Sequence, residues 1–162
     1  MLTRKTTYGI RALVNIARAG ERSLSVAEIA EREGIPPKFL AGILSDLRQR
    51  GIVRGQRGPI GGYKLAVSPE ELTIADVVEL LGGPLFPFVC LAREPNGERC
   101  RECPGEENCP ARQALSGACA AAYRVLGTLA LSDIMPTSTP ANELGLQAGA
   151  LGDAKKSGRS GT

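Results

Sequence analysis

The stretch "SVAEIAEREGIPPKFLAGILSDLRQRG", residues 25–51, leaves the chain few ways to fold. Ser25 and Glu28 have capping-box spacing: the serine oxygen accepts from the third backbone N–H while the glutamate reaches back. Val26, Ile29 and Ala30 then face inward on a short helix that Gly34 ends. Two prolines follow, and proline is favoured in the first turn of a new helix. Phe39, Leu40, Ile43, Leu44 and Leu47 predict the buried stripe of that helix, with Arg48, Arg50 and Gly51 at its end. Helices this short do not stand alone in water, so they must pack on one another and on a further element. Two short helices across the tight turn "EGIPP" make a helix-turn-helix. The further element lies upstream, where residues 4–19 place Ile10, Leu13, Val14 and Ala17 along one helical face and Gly20 ends the helix.

Downstream, "IVRGQRGPIGGYKLAV" reads as a short strand, a basic Gly/Pro-rich tip and a second strand over residues 63–67. A hairpin with arginine at its tip, directly after a helix-turn-helix, describes a winged helix. "SPEELTIADVVELLGG" adds a helix capped at Thr73, with Asp76 three residues on and a stripe of Ile74, Val77, Val78 and Leu81. A long helix is expected from about residue 110 to 134. Its Leu115, Ala118, Ala122, Val125, Leu129 and Ser132 form a seam of small residues that lets two helices approach closely, which points to a homodimer. The fold class expected is mostly α with a small β-hairpin wing: a winged helix-turn-helix plus a long C-terminal dimerisation helix. The divisions are 1–83 for the winged domain, 84–110 for a cysteine-rich loop, 111–135 for the dimerisation helix and 136–162 for a tail. The tail lacks periodicity and is rich in Gly, Pro, Ser, Thr and Ala, a composition that predicts disorder.

Charge divides the chain. Residues 1–67 hold twelve Lys/Arg against five Asp/Glu, whereas residues 68–136 hold five against ten. A basic first half suits a polyanion, double-stranded DNA being the usual one, although a solvated surface would look the same. In a helix-turn-helix the second helix offers its N-terminal residues to base edges. Here those include Lys38, which can reach a phosphate or a guanine, and Ala41, which offers no hydrogen bond. Direct readout is thin, and weight shifts to the wing. Arg54 and Arg57 flank a tip with little side-chain bulk, suited to a narrow, electronegative minor groove. Thr3, Arg4 and Lys5, ahead of the first helix, are placed to hold the phosphate backbone.

The chain has five cysteines and no histidine. Without histidine most hydrolase constellations lose their proton carrier, and the chain is not expected to be an enzyme. No apolar run approaches the ~20 residues of a membrane helix, and the N-terminus has no signal-peptide pattern. A cytoplasmic protein is expected, in which clustered thiols read as metal-binding or redox-active before disulfides. Cys90, Cys100, Cys103 and Cys109 fall within a polar, Pro/Gly-rich segment that has no core of its own, so a metal centre would supply its order. Four thiolates suit an iron–sulfur cluster. They also suit zinc, for which Cys100 and Cys103 have Cys-x-x-Cys spacing. Cys119, among alanines on the long helix, reads as a packed residue; Cys90 reads as a ligand, with simple burial after its apolar run as the alternative.

"LTRKTTYGIRALVNIA", "AEIAEREGIPPKFLAGILSDLRQRGIV" and "RGPIGGYKLA" together resemble the Rrf2 family of winged-helix transcription regulators, with its IscR-like and NsrR-like iron–sulfur members. The resemblance spans about residues 2–135. It implies a homodimer on a palindromic DNA operator, with the wing arginine, here Arg57, in the minor groove. A base-reading glutamate of IscR-like members falls on Ala41, so the operator need not be theirs. Cluster-binding members carry three loop cysteines, which match Cys90, Cys103 and Cys109. Positions that supply a fourth ligand in some members fall here on Thr7 and Arg112, and Cys100 becomes the substitute. The function implied is control of operator affinity by a cysteine-bound iron–sulfur cluster. The alternatives are a cluster-free or zinc-containing regulator using Cys100 and Cys103 as a thiol switch, or a protein-binding scaffold.

Overall fold

Two reciprocal side-chain caps set the frame of the domain. Ser25 Oγ accepts from Glu28 N at 3.2 Å, and Glu28 Oε2 accepts from Ser25 N at 2.8 Å. Thr73 and Asp76 repeat the arrangement one domain-length further on. Each cap satisfies backbone N–H groups that a helix start leaves without partners. The protein is described by a computed structural model covering residues 3–58, 61–85 and 109–135. In chain order these residues form α1 (Arg4–Ala19), α2 (Val26–Glu33), α3 (Pro37–Gln49), β1 (Val53–Gln56), β2 (Gly62–Leu65), α4 (Ile74–Gly82) and α5 (Pro110–Thr128), then a 3₁₀ turn at Ser132–Ile134. The fold is the expected one: mostly helical, with a two-stranded antiparallel wing.

The core is aliphatic. Leu13, Ile16, Leu24, Ile29, Leu40, Ile43, Leu44, Leu47, Val53, Val77, Val78 and Leu131 are its largest fully buried side chains. The stripe expected for α4 is the one buried, and in α2 Ile29 and Ala30 are buried while Val26 packs at the edge of the core. Two others shift. The buried line of α1 is Thr6, Gly9, Ala12, Leu13 and Ile16, while Ile10, Val14 and Ala17 pack at its edge. At Gly9 any side chain would strike Leu81, and this close approach of α1 to α4 turns the helix toward its small residues. Phe39, expected in the α3 stripe, is instead 45% exposed. Its ring meets that of Tyr8 edge-on, centroids 5.9 Å apart.

The wing is fastened to the helices through backbone. Leu24 N donates to Tyr63 O at 3.1 Å, and Tyr63 N donates to Leu24 O at 2.8 Å, a short third rung beside the hairpin. A Cβ at position 62 would run into the Leu24 carbonyl, so the second glycine of "GGY" is sterically required. Ser23 Oγ donates to Gln56 Oε1 at 2.7 Å and ties the same loop to β1.

The helix expected to run to about residue 134 ends at Thr128. Thr128 Oγ1 bonds back to the carbonyls of Arg124 and Val125, both at 3.1 Å. Leu129 is extended, and the chain then pairs with the start of α4. Ile74 N donates to Leu129 O at 2.9 Å, Leu131 N to Leu72 O at 2.8 Å, and Ser132 N to Pro69 O at 3.0 Å. Leu131 enters the same core as α1 and α4 and is completely buried. Leu129 and Ser132 are therefore not successive turns of a helical seam. Leu115 and Val125, 42% and 58% exposed, do lie on an open face of α5. The tail expected to be disordered lies outside the described residues. Among those residues no helix is long and apolar enough to cross a membrane.

Two outcomes follow for stability. Leu131→Ala removes a buried leucine and should cost about 2–5 kcal/mol in chemical denaturation of the full chain; a loss under about 1 kcal/mol would contradict its place in the core. The α2 cap should respond to acid. The Arg22 guanidinium, 2.8 Å from Glu28 Oε1, together with the N–H and hydroxyl of Ser25, lowers the Glu28 pKa from 4.5 to about 2. A depressed carboxylate contributes stability above its ordinary pKa and loses it as pH falls toward the folded value. Its contribution is therefore complete above pH 4.5 and lost on approach to pH 2. Titration of the Glu28 carboxyl by NMR should show the low midpoint, moving upward in Arg22→Ala; no movement would contradict the assigned cause.

Candidate nucleic-acid interface

α3 presents its first two turns to solvent because only one side of it is needed for the core. Leu40, Ile43, Leu44 and Leu47 are buried, while Pro37, Lys38, Phe39, Ala41 and Gly42 are exposed. Lys38 and Ala41, singled out from the sequence, both stand on this open side. At 3.6 residues per turn, Ala41 and Arg48 share one flank while Phe39 and Asp46 share the other. The Ala41 flank adjoins the wing: Arg48 Cδ and Nη1 each lie 3.8 Å from the place a Cβ would take on Gly55 of β1. The Phe39 flank adjoins α1, where Lys5 Nζ lies 2.7 Å from Asp46 Oδ2.

The wing carries Arg54 on β1 and Arg57 beyond it, both exposed. Gly61 N donates to Gly58 O at 2.9 Å and closes the tip, whose residues 59 and 60 lie outside the described residues. Arg54 stands directly opposite Lys64 in the register. Like charges in that position oppose pairing. Lys64 is mostly buried and has Glu21 Oε2 at 3.5 Å, while Arg54 stands in solvent. A cation set there at a cost to the hairpin favours an anionic partner.

At the start of α1, Thr3 proves to be the helix cap: its Oγ1 accepts from Thr6 N at 3.3 Å. Arg4 is exposed in the first turn. Lys5 is held by Asp46 in a half-exposed ion pair, so a phosphate would compete with that carboxylate for it. Two features escaped the sequence reading. Arg48 reads from the sequence as a helix end, although its spacing of seven from Ala41 puts both on one flank. The Tyr8–Phe39 pair was missed because Phe39 was assigned to the stripe. Four residues before Ile43, Phe39 stands at the edge of the buried line, where Tyr8 of α1 meets its ring.

A second network braces α1 against α2. Arg11 Nε donates to Glu33 Oε2 and Arg11 Nη2 to the Glu33 carbonyl, each at 2.6 Å, and Asn15 Nδ2 reaches Glu33 Oε1 at 2.6 Å. Burial acts on Glu33 to raise its pKa, but the Asn15 and Arg11 hydrogen bonds prevail and the net shift is downward. The Arg11 guanidinium also lies 5.8 Å from the Tyr8 ring centroid. These contacts fix the α1 surface from which Tyr8 meets Phe39.

Of the four cysteines singled out as ligands, Cys90, Cys100 and Cys103 lie outside the described residues. Cys109 is half-buried at the N-cap of α5. Cys119 is 3% exposed on the same helix, as expected of a packed residue. Ten residues at 1.5 Å each separate the two by about 15 Å along the axis. Among the described residues no three His, Cys, Asp or Glu side chains gather into a metal site.

Comparison with known proteins agrees with this architecture. Residues 2–137 match the Rrf2 family model, described as iron-dependent transcriptional regulator. An rrf2-like HTH-type transcriptional regulator of Rhodobacter capsulatus is 34% identical over 148 residues, covering 89% of this chain and 98% of that protein. Among solved structures, CymR, the global cysteine regulator of B. subtilis, superposes with a TM-score of 0.68 at 27% identity, covering 83% of this chain and 95% of that one. T. potens IscR superposes with a TM-score of 0.63 at 26% identity, covering 83% and 85%. These relatives are regulators and not enzymes. With a winged helix-turn-helix that leaves its second helix open to solvent and a family match over residues 2–137, the chain belongs to the Rrf2 family of transcriptional regulators.

Proposed function

We propose that this regulator binds a palindromic DNA operator as a homodimer and that a cysteine-ligated iron–sulfur cluster controls its affinity. The observation that carries the DNA half is the open first half of α3 standing beside a wing that bears Arg54 and Arg57. Lys38 and Arg4 extend the cationic surface, Arg57 enters the minor groove, and Thr3 orders the chain start that offers Arg4. The homodimer reading is supported by Leu115, Ala118 and Val125, which α5 leaves open to water in the single chain.

The cluster half is supported by the donor chemistry. Thiolates are the usual ligands of iron–sulfur centres, and Cys90, Cys100, Cys103 and Cys109 supply four. Cys109 sits at the N-cap of α5, half-buried. Cys119 is buried and too distant along α5 to join it. Thr7, at a position that supplies a ligand in some members, donates its hydroxyl to the Thr3 carbonyl at 3.2 Å within the first turn of α1. A bound cluster would supply a centre responsive to electrons, to oxidants or to its own loss. The chain's own contribution is mechanical. α5 begins at Cys109 and ends where Leu129–Leu131 is bonded to α4, so a shift of Cys109 turns a helix whose far end is fixed to the winged domain. In a dimer that motion alters the separation of the two reading heads, which must match a whole number of DNA turns, each ~34 Å.

A second reading has one observation in its favour: the likeness to a cysteine regulator. In it the chain holds no cluster, or holds zinc, and Cys100 with Cys103 forms a thiol switch.

Arg57→Ala should weaken binding to a selected operator by about 1–3 kcal/mol, and far less to scrambled duplex. Lys5→Ala should weaken both evenly and flatten the salt dependence, because a phosphate contact carries no sequence information. Fluorescence anisotropy separates the two, and negligible losses in both variants would contradict a DNA-binding role for the wing. For the cluster, anaerobically reconstituted protein should show thiolate-to-iron absorption that is lost in Cys90→Ala, Cys100→Ala, Cys103→Ala and Cys109→Ala and retained in Cys119→Ala. Glu94, Glu98, Glu102, Glu106 and Glu107 against Arg93, Arg99 and Arg101 leave the loop anionic, so a low reduction potential is expected. A full cluster in Cys100→Ala would place the fourth ligand elsewhere. Colourless protein with stoichiometric zinc would overturn the iron–sulfur reading, and metal-free protein with a reversible thiol response would establish the switch.

A further inference from the structure

The reading surface of α3 is unusual in what it lacks. From Pro37 to Gly42 five of six residues are exposed, and Lys38 is the one with a hydrogen-bonding side chain. Amide side chains read adenine and carboxylates read cytosine, and neither occurs between residues 37 and 45. Asp46, the next carboxylate, is paired with Lys5. Beyond Lys38 and the half-buried Ser45 hydroxyl, what the surface offers is apolar: the Phe39 ring, 45% exposed, and the Ala41 methyl.

Gly42 between them has no role in the fold. It sits within α3, and a Cβ added there would meet nothing within 4 Å. Glycine inside a helix costs stability relative to alanine, so a structural account leaves its presence unexplained. A partner surface that approaches the helix backbone at this point would explain it. Phe39, for its part, is held in place. Its ring rests edge-on against Tyr8, Tyr8 lies beneath the Arg11 guanidinium, and Arg11 is bonded twice to Glu33. An aromatic ring fixed this way loses little freedom on binding. Lys38 and Arg48 are exposed on the same helix, and the wing that adjoins Arg48 carries exposed Arg54 and Arg57, which suits a polyanion and not an apolar peptide.

We propose that Phe39 and Ala41 read the C5-methyl groups of two thymines in each operator half-site, with Gly42 allowing the helix backbone close to the base edges. Contact of Ala and Phe with the thymine methyl is a recognised mode of major-groove readout. Because the two residues occupy opposite flanks of α3, they meet different base pairs. The inference rests on the DNA-binding reading above and adds the chemistry by which sequence is told apart.

The test alters the DNA and leaves the protein intact. The full chain selects duplexes from a randomised pool, and the selected duplex is resynthesised with deoxyuridine in place of thymidine at one position at a time. Base pairing is kept and one methyl is removed. Affinity should fall about fourfold at each of two positions per half-site, the worth of one buried methyl. Phe39→Ala should abolish the thymidine–deoxyuridine difference at one of them, and Ala41→Gly at the other. Gly42→Ala should keep the fold and weaken binding to the selected duplex. Equal affinity for every deoxyuridine duplex overturns the proposal while leaving the DNA-binding role standing, as does undiminished binding by Gly42→Ala for the close approach. Failure to select any duplex overturns both together.

Discussion

The pair of backbone hydrogen bonds between Leu24 and Tyr63 is the constraint on which the rest of the interface depends. A two-stranded hairpin is marginal on its own in water. The extra rung gives it a third neighbour and locks it to the loop that leads directly into the Ser25 cap of α2. The cap fixes the start of α2, the αL glycine at Gly34 turns the chain, and α3 follows after three residues. The distance from wing to reading helix is thus set by a short, fully bonded path. The steric demand for glycine at position 62 belongs to this joint, which explains part of the "RGPIGGYKL" signature without reference to DNA.

What was legible in the sequence was local. Both capping boxes are four-residue patterns, and both are present as hydrogen bonds. The stripes of α2 and α4 needed only helical period. The errors are non-local. Nothing near Leu129 says that the chain will pair with residues 72–74, more than fifty positions away, and so the helix was extended six residues too far. Phe39 was placed inside because it is apolar; its exposure follows from a partner on α1. Thr6 and Gly9 were passed over as core because neither is strongly apolar, yet the approach of α4 demands small residues there.

The candidate site divides in the same way. Exposed cations at Lys38, Arg54 and Arg57 could be placed from pattern alone, because an unburied charge needs no tertiary partner to stay where it is. Thr3 and Lys5 could not. Thr3 is engaged in capping through Thr6 N, three residues on in its own helix, and Lys5 in an ion pair with Asp46 of α3, a partner that only the folded arrangement supplies. Cys109 stands where α5 begins, and the helix it begins is spliced at its far end into the winged core through Leu131. On the proposed reading, a ligand set that includes Cys109 would act on a lever whose fulcrum is already part of the winged domain.

The central claim is that α3 and the wing read DNA as a pair of heads carried by two copies of the chain. Hydroxyl-radical footprinting of the full chain on its selected duplex tests this most directly. The account predicts two symmetric protected patches on one face of the duplex, centred a whole number of helical turns, each about 10 base pairs, apart. A single patch, or protection spread around the whole circumference, would contradict it.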